Sequence, residues 1–104
     1  MMNRFRVIYS DKAMQELRNI RRYIARNLHN PEAAYEWSEY IISSINTLSV
    51  FPKRHPVRGK TLDGHDMRLF PVGNYVILYS VDDDKRLVLI SRIIHGRRNF
   101  DSLI

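Results

Sequence analysis

Residues Met67 to Asp101, MRLFPVGNYVILYSVDDDKRLVLISRIIHGRRNFD, decide how the rest of the chain is read. They divide into three short apolar runs parted by two turn signals. The first run, Met67 to about Phe70, ends at Pro71-Val72-Gly73-Asn74, where Gly-Asn supplies the positive φ of a tight turn. The second, Tyr75 to Val81, is rich in Val, Ile, Leu and Tyr, side chains that fit a pleated, half-buried surface. Asp82-Asp83-Asp84 turns the chain again. The third, Arg86 to about His95, runs into the basic pair Arg97-Arg98. Three strands joined in this way make a meander, and the chain before Met67 must supply its cover.

Upstream, Phe5 to Tyr9 (FRVIY) is a short apolar strand. Ser10 stands where a helix N-cap belongs, and Asp11 puts a negative charge at the positive end of that helix. Apolar residues recur at Ala13, Leu17, Ile20, Ile24 and Leu28, the spacing of one helix face. Lys12, Gln15, Arg18, Asn19, Arg22 and Arg26 take the other side, a basic outer face. Asn30-Pro31 starts a second helix, with Asn as cap and Pro at the first helical position. Its stripe is Ala34, Trp37, Ile41, Ile45 and Leu48, and Phe51-Pro52 stops it. The link between the helices is short, so they are antiparallel neighbours.

Residues 52–66, PKRHPVRGKTLDGHD, hold two prolines and two glycines and show no strand period. They read as a loop, and a loop this long in a compact domain is usually functional or mobile. The resulting order is β-α-α-β-β-β. It predicts an α+β fold with the helical hairpin packed on one face of an antiparallel sheet. A count of chain reversals makes the first strand an antiparallel neighbour of the last. The other sheet face is expected to be partly wet or covered by a partner.

The 104 residues read as one domain, 1–104, which buries roughly two-thirds of its unfolded surface on folding. The absence of cysteine excludes disulfides and thiolate metal sites and suits a reducing, cytoplasmic compartment. No run is apolar enough for a signal peptide or a membrane span, so no membrane partner is expected. Lys plus Arg outnumber Asp plus Glu by 17 to 11, a formal charge of +6. That excess favours an acidic partner, either nucleic acid or protein, or serves solubility alone. Its arginine-heavy make-up suits nucleic-acid contact.

His29, His55, His65 and His95 have no metal-ligand spacing, Gly59-Lys60-Thr61 lacks the upstream glycine of a P-loop, and no serine lies in a G-x-S-x-G elbow. No metal or cofactor is expected. What remains is a basic constellation. Arg68 lies on the first meander strand, Arg92 and His95 on the last, Arg97 and Arg98 beyond it, and Lys53, Arg54, Arg58 and Lys60 in the loop. Neighbouring strands bring such residues together. Strict alternation, however, puts His95 with Ser91 and Ile93 on one face and Arg92 with Ile90 and Ile94 on the other, unless a bulge intervenes. Arg92 reads equally well as a binding residue or as a structural partner of a carboxylate. Tyr75 and Tyr79 share a face with Ile77 and Val81, where core packing is preferred to base stacking.

These features resemble the RelE/ParE superfamily of toxins from bacterial type II toxin–antitoxin modules. The matching pieces are Ser10…Ala13…Leu17…Ile20…Tyr23-Ile24-Ala25, Leu48…Phe51-Pro52, Met67-Arg68, Asn74-Tyr75-Val76-Ile77-Leu78-Tyr79, and Arg92-Ile93-Ile94-His95-Gly96-Arg97-Arg98. They span nearly the whole chain. The resemblance implies the β-α-α-β-β-β fold and a cognate antitoxin as partner. It offers two targets: DNA gyrase for ParE-like members, which do no chemistry of their own, and ribosome-bound mRNA for RelE-like and YoeB-like endonucleases. For a nuclease it implies Arg68, His95 and Arg98 as catalytic candidates, with Lys53 or Lys60 as alternative proton-transfer groups. Gly96 follows His95 where the YoeB branch has a terminal tyrosine, and no tyrosine follows Tyr79. The ending His-Gly-Arg-Arg looks like ParE-type toxins. The resemblance therefore leans to a gyrase-binding protein that is not an enzyme, with Arg54, Arg58, Lys60, Arg68, Arg92, His95, Arg97 and Arg98 as target-binding candidates.

Overall fold

The computed structural model describes residues 4–27 and 29–96. Along the chain these form β1 (Arg6–Tyr9), α1 (Asp11–Asn27), α2 (Pro31–Asn46), β2 (Val57–Lys60), β3 (Asp66–Val72), β4 (Tyr75–Asp82) and β5 (Leu87–His95). Two short 3-10 turns, Thr47–Ser49 and Pro52–Arg54, link α2 to β2. The caps are those the sequence announces. The backbone N–H of Ala13 donates to Ser10 Oγ at 3.0 Å, and that of Ala33 to Asn30 Oδ1 at 3.1 Å. Each satisfies a first-turn donor that has no partner within the helix.

The five strands lie in the order β1-β5-β4-β3-β2. The expected helical hairpin and meander are present, and two details differ from the sequence reading. First, the stretch taken as loop contains β2, antiparallel to β3. Hydrophobic period cannot reveal this strand, because Val57, Arg58 and Lys60 on a sheet edge are all exposed. Its two cations guard the edge against pairing with other chains. Second, β1 runs parallel to β5, with Val7 opposite Val88 and Tyr9 opposite Ile90. The unforeseen strand adds one reversal to the path and inverts the expected direction. The sheet is therefore mixed. β1 and β2 are its two edges, and the helical hairpin carries the chain from one to the other.

The main core joins Ala13 and Leu17 of α1, Ile41 and Ile45 of α2 and the buried Leu48 to Ile77, Tyr79 and Val81 of β4 and Val88, Ile90 and Ile93 of β5. Tyr79 is fully buried and its hydroxyl donates to the Pro52 carbonyl, so it serves packing. Trp37 is half-buried at the margin, its ring edge-on to Tyr75 at 5.2 Å. The other face of the sheet carries a second buried cluster: Met67, Leu69, Val76, Leu78 and Ile94. Apolar contacts on both faces explain why β4 reads as a continuous run, VILYSV, without alternation.

Gly73 has φ +58 at the β3–β4 turn, as the sequence predicts. Gly96 is held by close approach: its N–H donates to the Asn74 carbonyl at 2.8 Å, and an added Cβ would lie 3.1 Å from that oxygen. The end of β5 is thus tied to the turn before β4.

Ile41→Ala should destabilise the fold by about 2–5 kcal/mol, because it leaves a cavity between both helices and the sheet. Tyr35→Ala, on the exposed side of the same helix, should stay within about 0.5 kcal/mol. Urea unfolding midpoints of the two variants test this contrast.

Candidate functional site

β1 is short. After Tyr9 the chain leaves the sheet, with Ser10 N–H donating to the Ile90 carbonyl at 2.9 Å and Ser10 Oγ–H to the Ser91 carbonyl at 2.8 Å. Beyond Ser91, β5 has no strand neighbour on this side among the described residues. Glu16, one turn into α1, supplies the missing acceptor: the Ile93 N–H donates to its Oε1 at 3.0 Å. The same carboxylate holds Arg92, whose Nε donates at 3.1 and 3.0 Å and whose Nη2 donates at 2.8 Å. Both side chains are mostly enclosed, Arg92 at 20% and Glu16 at 15% exposure.

β5 is bulged just before Arg92. Tyr79 pairs with Ile90 but Leu78 pairs with Arg92, so Ser91 is an extra residue. The bulge resets the alternation, and Ile90 and Ile93 both join the helix-side core. Beyond the bulge Arg92 and His95 still alternate, opposite Leu78 and Tyr75, yet at the edge of β5 that β1 leaves uncovered both line one groove of about 520 Å³ with Lys12, Glu16, Asn19, Ile20, Tyr23 and Tyr75. His95 stands edge-on to the Tyr75 ring at 5.6 Å. Burial, with a smaller contribution from Tyr23, pushes the Tyr75 phenol above its ordinary range. The groove thus brings Lys12 and the Glu16-paired Arg92 together with His95 and the Tyr23 and Tyr75 rings.

The remaining sequence candidates sit elsewhere. Arg68 Nη1 donates to the carbonyls of Lys53 at 2.9 Å and His55 at 2.7 Å, pinning the segment that leads into β2. Arg54 closes the end of α2: its Nη1 donates to the Thr47 and Val50 carbonyls at 3.1 and 2.8 Å, and its Nη2 to Thr47 Oγ1 at 2.6 Å. Lys60 pairs with Asp66 at 2.8 Å, and Lys53 with Asp83. Arg58 is exposed on β2. These residues gather around the β2 end of the sheet, apart from Arg92 and His95. Arg97 and Arg98 lie outside the described residues.

Sequence reasoning missed Glu16. The available signal was its place on α1, beside Leu17, three residues after Ala13 and four before Ile20. A lone carboxylate at the margin of an apolar stripe, on a helix otherwise rich in arginine, is placed to meet a cation from the sheet.

Residues 7–100 match the family described as the ParE toxin of the type II toxin–antitoxin system, parDE. No curated protein matches the chain. Among solved structures it is similar to the chromosomal ParDE toxin–antitoxin system from P. aeruginosa, with 17% identity and TM-score 0.72 over 89% of this chain and 97% of that one. The RelBE2 toxin–antitoxin complex of Mycobacterium tuberculosis matches with 18% identity and TM-score 0.56, covering 88% and 98% of the two chains. The archaeal RelE–RelB complex of Pyrococcus horikoshii OT3 matches with 15% identity and TM-score 0.59, covering 91% and 98%. At these identities the structural likeness is one of fold.

Glu16→Ala should cost about 1.5–3 kcal/mol, because it strips a charged acceptor from Arg92 and orphans the Ile93 N–H. Glu16→Gln keeps an acceptor for Ile93 and should cost less; equal midpoints in urea would contradict the clasp. The two half-buried histidines near β3 should titrate on opposite sides of 6.5. His55 falls below because burial, and then Arg54, disfavour its charged form; His65 rises because Asp63 hydrogen-bonds and attracts it. By linkage, His55 contributes stability that is present above its unfolded value and lost as pH falls through the folded one. Imidazole proton NMR against pH reads both midpoints.

Proposed function

The chain belongs to the ParE toxin family of type II toxin–antitoxin systems, and from that premise we propose that it inhibits DNA gyrase by binding and is neutralised by a cognate antitoxin. An mRNA endonuclease of this fold would need a proton-transfer group beside the cations that steady the scissile phosphate. The observation that carries the binding reading is the separation of those parts. Arg68 is occupied by loop carbonyls at the β2 end, while His95 lies beside an Arg92 already clasped by Glu16. Lys53 and Lys60, the other proton-transfer candidates, are paired with Asp83 and Asp66. No tyrosine follows Tyr79.

The antitoxin reading is supported by the similar structures, each of which is a toxin–antitoxin system or complex. With a net charge of +6 on the toxin, an acidic antitoxin segment that folds on binding fits best. The place of action would be the cytoplasm, where the chromosome and gyrase are. One observation favours the endonuclease reading instead: Arg92 and His95 line one groove, a cation near a group able to move protons.

Supercoiling by purified gyrase should fall, or cleaved DNA accumulate, when the chain is added. If gyrase is unaffected while primer extension shows messages cut at the ribosomal A site, the protein is an mRNA interferase. Arg97→Ala with Arg98→Ala, past the last strand in sequence, should abolish growth inhibition and leave the thermal midpoint unchanged. Loss of the folded state in that double variant would contradict a binding role for the pair.

A further inference from the structure

Arg54, Arg68 and Arg92 are engaged by carbonyls or a carboxylate; the arginines of the outer face of α1, Arg21 among them, are not. Arg18, Arg21, Arg22 and Arg26 of α1 are all exposed. Among the described residues their side chains enter none of the ion pairs or side-chain hydrogen bonds. Arg18, Arg22 and Arg26 follow one another at intervals of four, a row with about 6 Å between steps along the helix. The only acidic residues of α1 are Asp11, in its first turn, and Glu16, which faces Arg92. Like charges at this spacing cost the helix about 0.2–0.5 kcal/mol per pair, and only Arg26 has a compensating place, in the last turn.

Beside the row, the two helices form an open groove of about 430 Å³ lined by Arg18, Arg21, Arg22, Ala25, Pro31, Ala34 and Tyr35. Tyr35, which lines this groove, is 64% exposed. No large aliphatic side chain lines this groove. A protein partner would find few of the buried apolar anchors that carry most protein–protein affinity. A single-strand binder would need several stacking aromatics, and Tyr35 alone lines the groove. A straight cationic row, flanked only by the small side chains of Ala25, Pro31 and Ala34 and by Tyr35, suits a regular polyanion.

We propose that the outer face of α1, Arg18, Arg21, Arg22 and Arg26 with Tyr35 of α2, binds the phosphate backbone of duplex DNA without reading its sequence. The contact goes beyond the gyrase reading and does not depend on it. Each phosphate neutralised releases condensed counterions, so affinity falls steeply with salt.

The test uses the purified chain and a labelled 20-base-pair duplex of arbitrary sequence, with anisotropy read across a salt series. Three to four phosphate contacts predict that affinity drops roughly 40- to 150-fold between 50 and 200 mM salt. The variant Arg18→Gln/Arg22→Gln/Arg26→Gln should bind more weakly and lose only roughly 3-fold over the same range. A control, Arg6→Gln/Lys85→Gln, changes exposed charge at the β1–β5 end and should bind as the parent does. Circular dichroism melts confirm that each variant is folded. Equal binding by parent and triple variant would overturn the proposal, as would equal weakening by the control. Tighter binding to the single strand, or to a polyglutamate peptide of 20 residues, would also overturn it by identifying a different occupant. None of these measurements contains gyrase, so failure here is distinguishable from failure in the supercoiling assay.

Discussion

Where β1 leaves the sheet, β5 loses its hydrogen-bonding neighbour for the rest of its length, and the Glu16 carboxylate takes that neighbour's place. One side chain accepts the Ile93 N–H and holds the Arg92 guanidinium. A buried backbone donor without a partner and a half-enclosed arginine without a counter-charge would each be costly. Satisfying both together permits β1 to stop at Tyr9, so that Ser10 can begin α1 immediately and bond Ser91 across the junction. The start of α1, the bulge at Ser91 and the groove containing His95 all meet at that junction.

Much of the fold was legible because it rests on local rules. The Ser10 and Asn30 caps, the helical stripes and the Gly73 turn are each fixed within a few residues of sequence, and all are present. β2 was not legible, since a strand exposed on both faces carries no hydrophobic alternation. Its omission then propagated: one missing reversal turned a parallel β1–β5 pair into an expected antiparallel one. The error lay in chain path, whereas the composition of the core was read correctly at Ala13, Leu17, Ile41, Ile45 and Leu48.

The candidate site was less legible, for a different reason. Alternation on β5 separates Arg92 from His95, and they share a groove because β1 stops at Tyr9 and leaves that edge of β5 open beside α1. Where β1 ends against β5 is set by tertiary pairing, which no local pattern in SRIIH encodes. Arg54 and Arg68 show the converse. They look like ligand-binding cations in the sequence, yet their guanidinium groups satisfy carbonyls where α2 ends and the chain turns toward β2. Irregular backbone must find donors for its carbonyls, and arginine, with five N–H groups, supplies several at once.

A basic chain therefore cannot be interpreted by counting its cations. An arginine clasped by carbonyls or a carboxylate shapes the fold and contributes a weakened field; an unpartnered arginine on a rigid helix contributes field at a fixed position. In this protein the two kinds meet on α1. Its inner side, through Leu17 and Glu16, fixes the end of β5; its outer side presents Arg18, Arg22 and Arg26 in line. The helix that seats the β5 groove thus also sets the spacing of the exposed row. Fraying of α1 would disturb both surfaces together, whereas neutralising the outer arginines would leave the groove as it is. The two surfaces are separable by charge and inseparable by structure, because one rigid element carries them both.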